Sequence, residues 1–256
     1  MRHIDDDTIT QAVIARHAAA VDPRLREVMT SLVQHLHAFA RETRLTEGEW
    51  RAGLRFLADC GAASRASGRD EFALLSDALG LSTLVAAQQR RPAGCTDATL
   101  VTPCTPGAQA PSVRVQGRVC ATDGAPVAGA TLSHGAGHAT SNADGGFAFT
   151  VTAVDEGATI PGDGPVGRLL AALGRTPRRP AHIAVKIDAP GCEPLTTQLF
   201  RRGDRDLDGD AAFGVRGSLV ADWVPHERGG AGTAAYTLDF DFVLNAKTSL
   251  RQGDRP

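Results

Sequence analysis

Two side chains three residues apart offer proton transfer and anion binding within one short run, Arg179-Pro180-Ala181-His182-Ile183-Ala184. A free imidazole titrates near neutrality and serves as a general acid or base. A guanidinium presents a planar fork suited to a phenolate, carboxylate or enolate. The same letters also fit a histidine satisfied by backbone and an arginine that is a scaffold cation, and both readings stay open. Upstream, Asp155 and Glu156 supply a candidate proton acceptor in Glu156, or simply solvated loop acids. His134 and His138 could join His182 and Glu156 in a two-His, one-carboxylate metal site. Their spacing in a glycine-rich turn gives no helical face to align them. Asp204, Asp206, Asp208 and Asp210 alternate as in a calcium loop, but Gly209 is misplaced and no terminal glutamate follows. That segment reads as a solvated turn. The whole chain has one tyrosine, Tyr236, so a site built on two phenolates cannot be assembled from it.

Composition narrows the class. With 256 residues, 42% hydrophobic, there is enough apolar material for one large or two modest cores. A formal charge of −2 with acids and bases interspersed excludes a nucleic-acid or anionic-membrane footprint. The acidic start, Met1 to Asp7, lacks the apolar run of a signal peptide, and no stretch reaches the length of a membrane span. A cytoplasmic protein is expected. Cys60, Cys95, Cys104, Cys120 and Cys192 are odd in number and widely spaced, so they read as ordinary thiols.

The elements that must position these groups change character along the chain. Asp22-Pro23 is a helix start, with an N-cap acid and proline at the first position. Leu25, Val28, Met29, Leu32, Val33, Leu36 and Phe39 follow at three- and four-residue spacing, a stripe that needs a neighbour, here another subunit. Thr46 to Glu49 forms a capping box ahead of Trp50, Leu54 and Leu57. A further helix is predicted over Glu71 to Ala87, and a short one around Ile9, Val13 and His17. Near Arg91-Pro92-Ala93-Gly94 the period switches to two, as in Val113, Val115, Gly117 and Val119, then Phe147, Phe149 and Val151, then Leu238, Phe240, Phe242 and Leu244. Turn signals at Asp123-Gly124, Asn142 to Gly146 and Pro190-Gly191 separate these runs. The expected fold is α+β: a helical domain over residues 1–95 that dimerises, followed by an antiparallel β-sandwich over 96–256.

Several longer stretches carry a family resemblance. They are Asp22 to Glu27, Leu45 to Trp50, Phe72 to Gly80, Asp123 to Ala130, Ile160 to Gly167, Arg179 to Ile183 and Thr196 to Phe200. Together they resemble the intradiol ring-cleavage dioxygenases, most of all the hydroxyquinol and catechol 1,2-dioxygenases. That resemblance implies ferric iron held by two tyrosinates and two histidines. Here His182 matches the first histidine and Ala184 stands at the second. Ala158 falls where one tyrosine is expected, and the loop that bears the other is missing between Leu132 and Thr140. Three of four ligand positions are thus changed, and the expectation from sequence is no cofactor and no metal. The resemblance further implies that Arg179 and Gln198 sit beside the reacting centre. It also implies a substrate pocket at Leu74, Asp77, Val101, Thr102, Cys104, Ala158 and Ala184.

Three functions compete on these residues. A metal-free enzyme could act on an aromatic or quinonoid molecule by redox-neutral acid/base chemistry, with His182, Arg179, Gln198 and Glu156 as the working groups. A non-catalytic subunit or ligand-binding module would need the pocket alone. Iron-dependent ring cleavage of a catechol or hydroxyquinol is the third. The expected partners are a small aromatic ligand and a second copy bound through the N-terminal helices, or an intact homologue in a heteromer. The resemblance also implies room for a phospholipid between those helices.

Overall fold

Helix α1 (Ile9–Arg16) packs on α2 (Pro23–Glu42), where Thr10 Oγ1 lies 2.9 Å from His37 Nδ1 and accepts from Arg41 Nη2 at 2.9 Å. Asp22 starts α2 as its residue type requires: Oδ1 accepts from the N–H groups of Arg24 at 2.8 Å and Leu25 at 3.2 Å. Helix α3 (Glu47–Ser67) opens on the expected capping box, with Thr46 N–H on Glu49 Oε2 at 2.9 Å and Glu49 N–H on Thr46 Oγ1 at 3.3 Å. The single helix expected over Glu71 to Ala87 is two. Helices α4 (Glu71–Ala78) and α5 (Leu81–Gln88) are separated by Gly80, whose φ of +73° ends one and starts the other.

This computed structural model describes residues 4–89, 92–226 and 234–247. Met1 to His3 and Arg91, parts of the expected acidic start and of the change in pattern, lie outside the described residues. The chain forms two compact units, residues 1–59 and 60–256. In the first, the apolar stripe of α2 faces outward: Leu25, Val28, Leu32, Leu36 and Phe39 are 44–54% exposed, as are Trp50, Leu54 and Leu57 of α3 to a similar degree. No described helix is long and apolar enough to cross a membrane.

The second unit is built on strands β1 (Ser112–Ala121), β2 (Thr131–His134), β3 (Gly137–Thr140), β4 (Gly146–Thr152) and β5 (Ala158–Thr159), then helix α6 (Pro165–Ala172). Strands β6 (Arg178–Arg179), β7 (His182–Asp188), β8 (Leu195–Arg201), β9 (Val220–Ala221), β10 (Val224–Pro225), β11 (Tyr236–Asp239) and β12 (Phe242–Leu244) follow. One sheet runs β10-β11-β1-β12 with β4 on β1; the other runs β3-β2-β7-β8-β9. Period-two alternation points Val113, Val115, Phe147 and Leu238 from one sheet, and Leu132, Ile183, Val185, Ile187 and Leu199 from the other, into a single core. Most pairings are antiparallel, as expected; β11 and β12 run parallel to β1, and β9 parallel to β8.

The last alternating run is not one strand. It breaks at Phe240-Asp241, and the two pieces pair with different halves of β1. Gly117 sits at the break, where an added Cβ would lie 2.0 Å from the Phe240 carbonyl oxygen, so only glycine allows this approach. The β2–β3 hairpin is equally tight, joined by Gly135-Ala136 alone, and it leaves no room for a long loop there.

Candidate functional site

The strand that buries Ile183, Val185 and Ile187 turns His182 and Ala184 to the opposite face of its sheet. Register pairs Ala184 with Gln198 and His182 with Phe200, so these four share that outer face. A connecting segment, residues 101–104, lies across them. Gln198 Nε2 donates to Val101 O at 2.9 Å, Thr102 N–H donates to Asp77 Oδ2 at 2.9 Å, and Cys104 N–H donates to His182 Nε2 at 3.3 Å.

His182 is completely buried. Its Nε2 accepts from Cys104, which makes Nδ1 the protonated nitrogen, donating to Pro180 O at 2.8 Å. Burial, and next the nearby Arg179 cation, push its pKa down to about 4. The ring is a neutral, doubly bonded structural element, and the general acid or base expected from sequence has no free nitrogen to offer.

Arg179 is 1% exposed and its fork is taken up by the protein. Nε reaches Asp210 Oδ1 at 2.8 Å, Nη1 donates to Thr102 O at 2.6 Å, and Nη2 to Gln198 Oε1 at 3.2 Å and Asp210 Oδ2 at 3.4 Å. Asp210 in turn accepts from the N–H groups of Ala212 at 3.1 Å and Gly214 at 2.7 Å. Asp204 of the same acidic loop accepts from Ala181 N–H at 2.8 Å. The loop that reads as a solvated turn therefore supplies the counterion of Arg179, and among the described residues it gathers no metal-binding cluster. A buried guanidinium demands an acid, but nothing in the spacing says which one.

Beside this network is a cavity of about 470 Å³, lined by Leu74, Asp77, Thr102, Cys104, Ile160 and Arg179 among others. Sequence reasoning named four of its pocket residues here and missed Arg69, Ile160 and Pro161. Asp77 is 1% exposed; Oδ2 is used by Thr102, while buried Oδ1 has no hydrogen-bond partner. Burial pushes the Cys104 thiol pKa up, and Arg179 opposes that shift. A second cavity, about 250 Å³, lies against Val101, Pro103, His134, Ala184 and Gln198. Pro103 borders both.

Of the other expected members, Val101, Ala184 and Gln198 line only the smaller cavity, and His182, Glu156 and Ala158 line neither. Glu156 is exposed and pairs with Arg201 at 2.7 Å. Ala158 sits in β5, in register with Arg179 of β6, without lining either cavity. His134 stacks on Phe149, ring centroids 4.0 Å apart, and joins no cluster of metal-ligating groups among the described residues.

The chain matches the family described as "Catechol dioxygenase N terminus" over residues 22–96 and the one described as "Dioxygenase" over 133–246. It is 45% identical to 6-chlorohydroxyquinol 1,2-dioxygenase of Cupriavidus pinatubonensis over 280 aligned positions, covering 96% of this chain and 99% of that one. It is 36% identical to hydroxyquinol 1,2-dioxygenase of Nocardioides simplex, covering 93% and 95%. The crystal structure of hydroxyquinol 1,2-dioxygenase from Pseudomonas putida DLL-E4 superposes with a TM-score of 0.79 at 34% identity, covering 94% of this chain and 99% of that one. The first alignment is longer than the chain itself, so that relative contains segments this chain lacks.

These relatives correct the expectation of no cofactor. They are 1,2-dioxygenases, and the ferric iron implied for their family stands as the cofactor implied here. The resemblance implies the ligand positions, and the structure describes what stands at them. His182 has Nε2 bonded to Cys104 N–H, Ala184 and Ala158 carry no donor, and Tyr236 lies in β11 beside Val113, in the sheet that does not contain His182. By family match, sequence identity and architecture alike, the chain belongs to the intradiol ring-cleavage dioxygenase family.

Proposed function

We propose that this protein binds a hydroxylated aromatic molecule in the larger cavity. The observation that carries the reading is a cavity of about 470 Å³ lined by Asp77, a buried acid whose Oδ1 has no hydrogen-bond partner. That volume is ample for one substituted ring, and a buried carboxylate oxygen left unbonded is costly until a ligand hydroxyl donates to it. Leu74 and Ile160 supply apolar walls, and Arg179 supplies positive potential from a fixed position. Titration calorimetry with 4-nitrocatechol tests this. The native protein is expected to bind one equivalent; Leu74→Trp, which fills the cavity, is expected to bind about tenfold more weakly or not at all. Equal binding by both proteins would place the ligand elsewhere.

Acid/base turnover by His182, Arg179, Gln198 and Glu156 draws no support from their positions, because three are committed to internal bonds and the fourth lies outside the cavity. Ring cleavage like that named for the relatives is the second reading, favoured by 45% identity across nearly both chains. Its test is metal analysis of chelator-free protein, then assay with hydroxyquinol after iron loading. About one iron per chain with a ring-opened product supports cleavage; binding without product leaves the first reading standing alone.

Assembly as a homodimer through α2 and α3 belongs to the same proposal. Their exposed leucines, Phe39 and Trp50 form an apolar surface of the kind that associates. Light scattering is expected to give a dimer for the native chain and a monomer for a Leu32→Asp, Leu36→Asp double variant. A native monomer would favour the heteromer instead.

A further inference from the structure

Of the described cysteines, Cys104 alone lines the cavity assigned above to an aromatic ligand. The buried Arg179 guanidinium lines the same cavity, a cation near a nucleophile. Asp77, buried with an unpartnered Oδ1, lines the same cavity, and the binding reading above supplies its missing donor as a ligand hydroxyl. Hydroxylated aromatics bearing two or three hydroxyl groups oxidise to quinones, which are soft electrophiles that keep the same ring and oxygen pattern. Cys60 and Cys192 are buried, and Cys95 and Cys120, partly exposed like Cys104, lie outside this cavity.

We propose that Cys104 is a covalent capture site for quinones of the aromatic class that this cavity binds, an inference that rests on the binding reading above. The step balances without any further reagent. Cys104 Sγ forms a bond to a ring carbon conjugated with a quinone carbonyl, and the displaced π electrons go to the carbonyl oxygen. That oxygen gains a proton, equivalent overall to the one the thiol gives up. Loss of the hydrogen from the attacked carbon and its return to the second oxygen leave a hydroquinone thioether. The quinone is reduced by two electrons, and the carbon–sulfur bond is the matching oxidation. Arg179, fixed by Asp210, Thr102 and Gln198, stabilises negative charge on the sulfur as it attacks.

Full-length protein is treated with one equivalent of 1,4-benzoquinone and followed by intact mass and peptide mapping. The expected result is a single adduct on Cys104, lost in Cys104→Ser and suppressed by excess 4-nitrocatechol. Modification of Cys95 or Cys120 at the same rate as Cys104, or no protection by 4-nitrocatechol, would overturn the proposal. Calorimetry on the same sample separates the two readings. Binding of 4-nitrocatechol without selective Cys104 adduct removes capture alone, while absence of binding removes the ligand site on which both rest.

Discussion

Replacing Asp210 by alanine is expected to destabilise the fold by about 3–5 kcal/mol, because it strands Arg179 as an uncompensated charge in a dry interior. The two side chains are 1% and 2% exposed and meet at 2.8 Å. Asp204 of the same loop is committed to Ala181 and Asp206. The carboxylate also holds the N–H groups of Ala212 and Gly214, so the loop loses two anchors together with the ion pair. Urea unfolding of the native chain and the variant measures the difference. Asp210→Asn keeps an acceptor for one anchor and is expected to fall between them. A loss below about 1 kcal/mol for Asp210→Ala, the range of exposed pairs, would mean that water reaches Arg179.

The second large effect is acid sensitivity from His182. Its pKa lies near 4 in the folded state, below the ordinary imidazole value of about 6.5 in the unfolded chain. Between those values the unfolded state binds the proton and the folded state does not, so stability falls as pH falls. The contribution is fully present above about pH 6.5 and is lost progressively down to about pH 4. It amounts to roughly 3 kcal/mol across that window. Denaturant midpoints at successive pH values give the slope. His182→Gln, which cannot titrate, is expected to remove this part of the slope even if it lowers stability at every pH. An unchanged slope would assign the acid sensitivity to other groups.

Both effects come from the same few contacts, and those contacts explain why the site reads one way in the sequence and another in space. His182, Arg179 and Gln198 carry titratable and polar chemistry, and as letters they look available. In the fold, segment 101–104 covers them and uses their bonding capacity: Val101 O takes Gln198, Thr102 O takes Arg179, and Cys104 N–H takes His182. Side-chain type is a local property, whereas access depends on a chain segment about eighty residues away. The Asp204–Asp210 loop shows the converse. Its acids look solvated, yet Asp210 is buried because a guanidinium from β6 needs it.

The sequence by itself determined the helix caps at Asp22 and Thr46, the alternation that sorts Ile183, Val185 and Ile187 from His182 and Ala184, and the α+β order, because each follows from the residue and its near neighbours. It also determined that one tyrosine is all the chain has. Only the tertiary structure decided that Gly80 divides a helix in two, that Gly117 splits the last strand, and that buried Asp77, beside a cavity, keeps one oxygen unbonded. It decided as well that Cys104 and Arg179 line the same cavity. These depend on close approach between segments far apart in the chain, and no local periodicity encodes such distances.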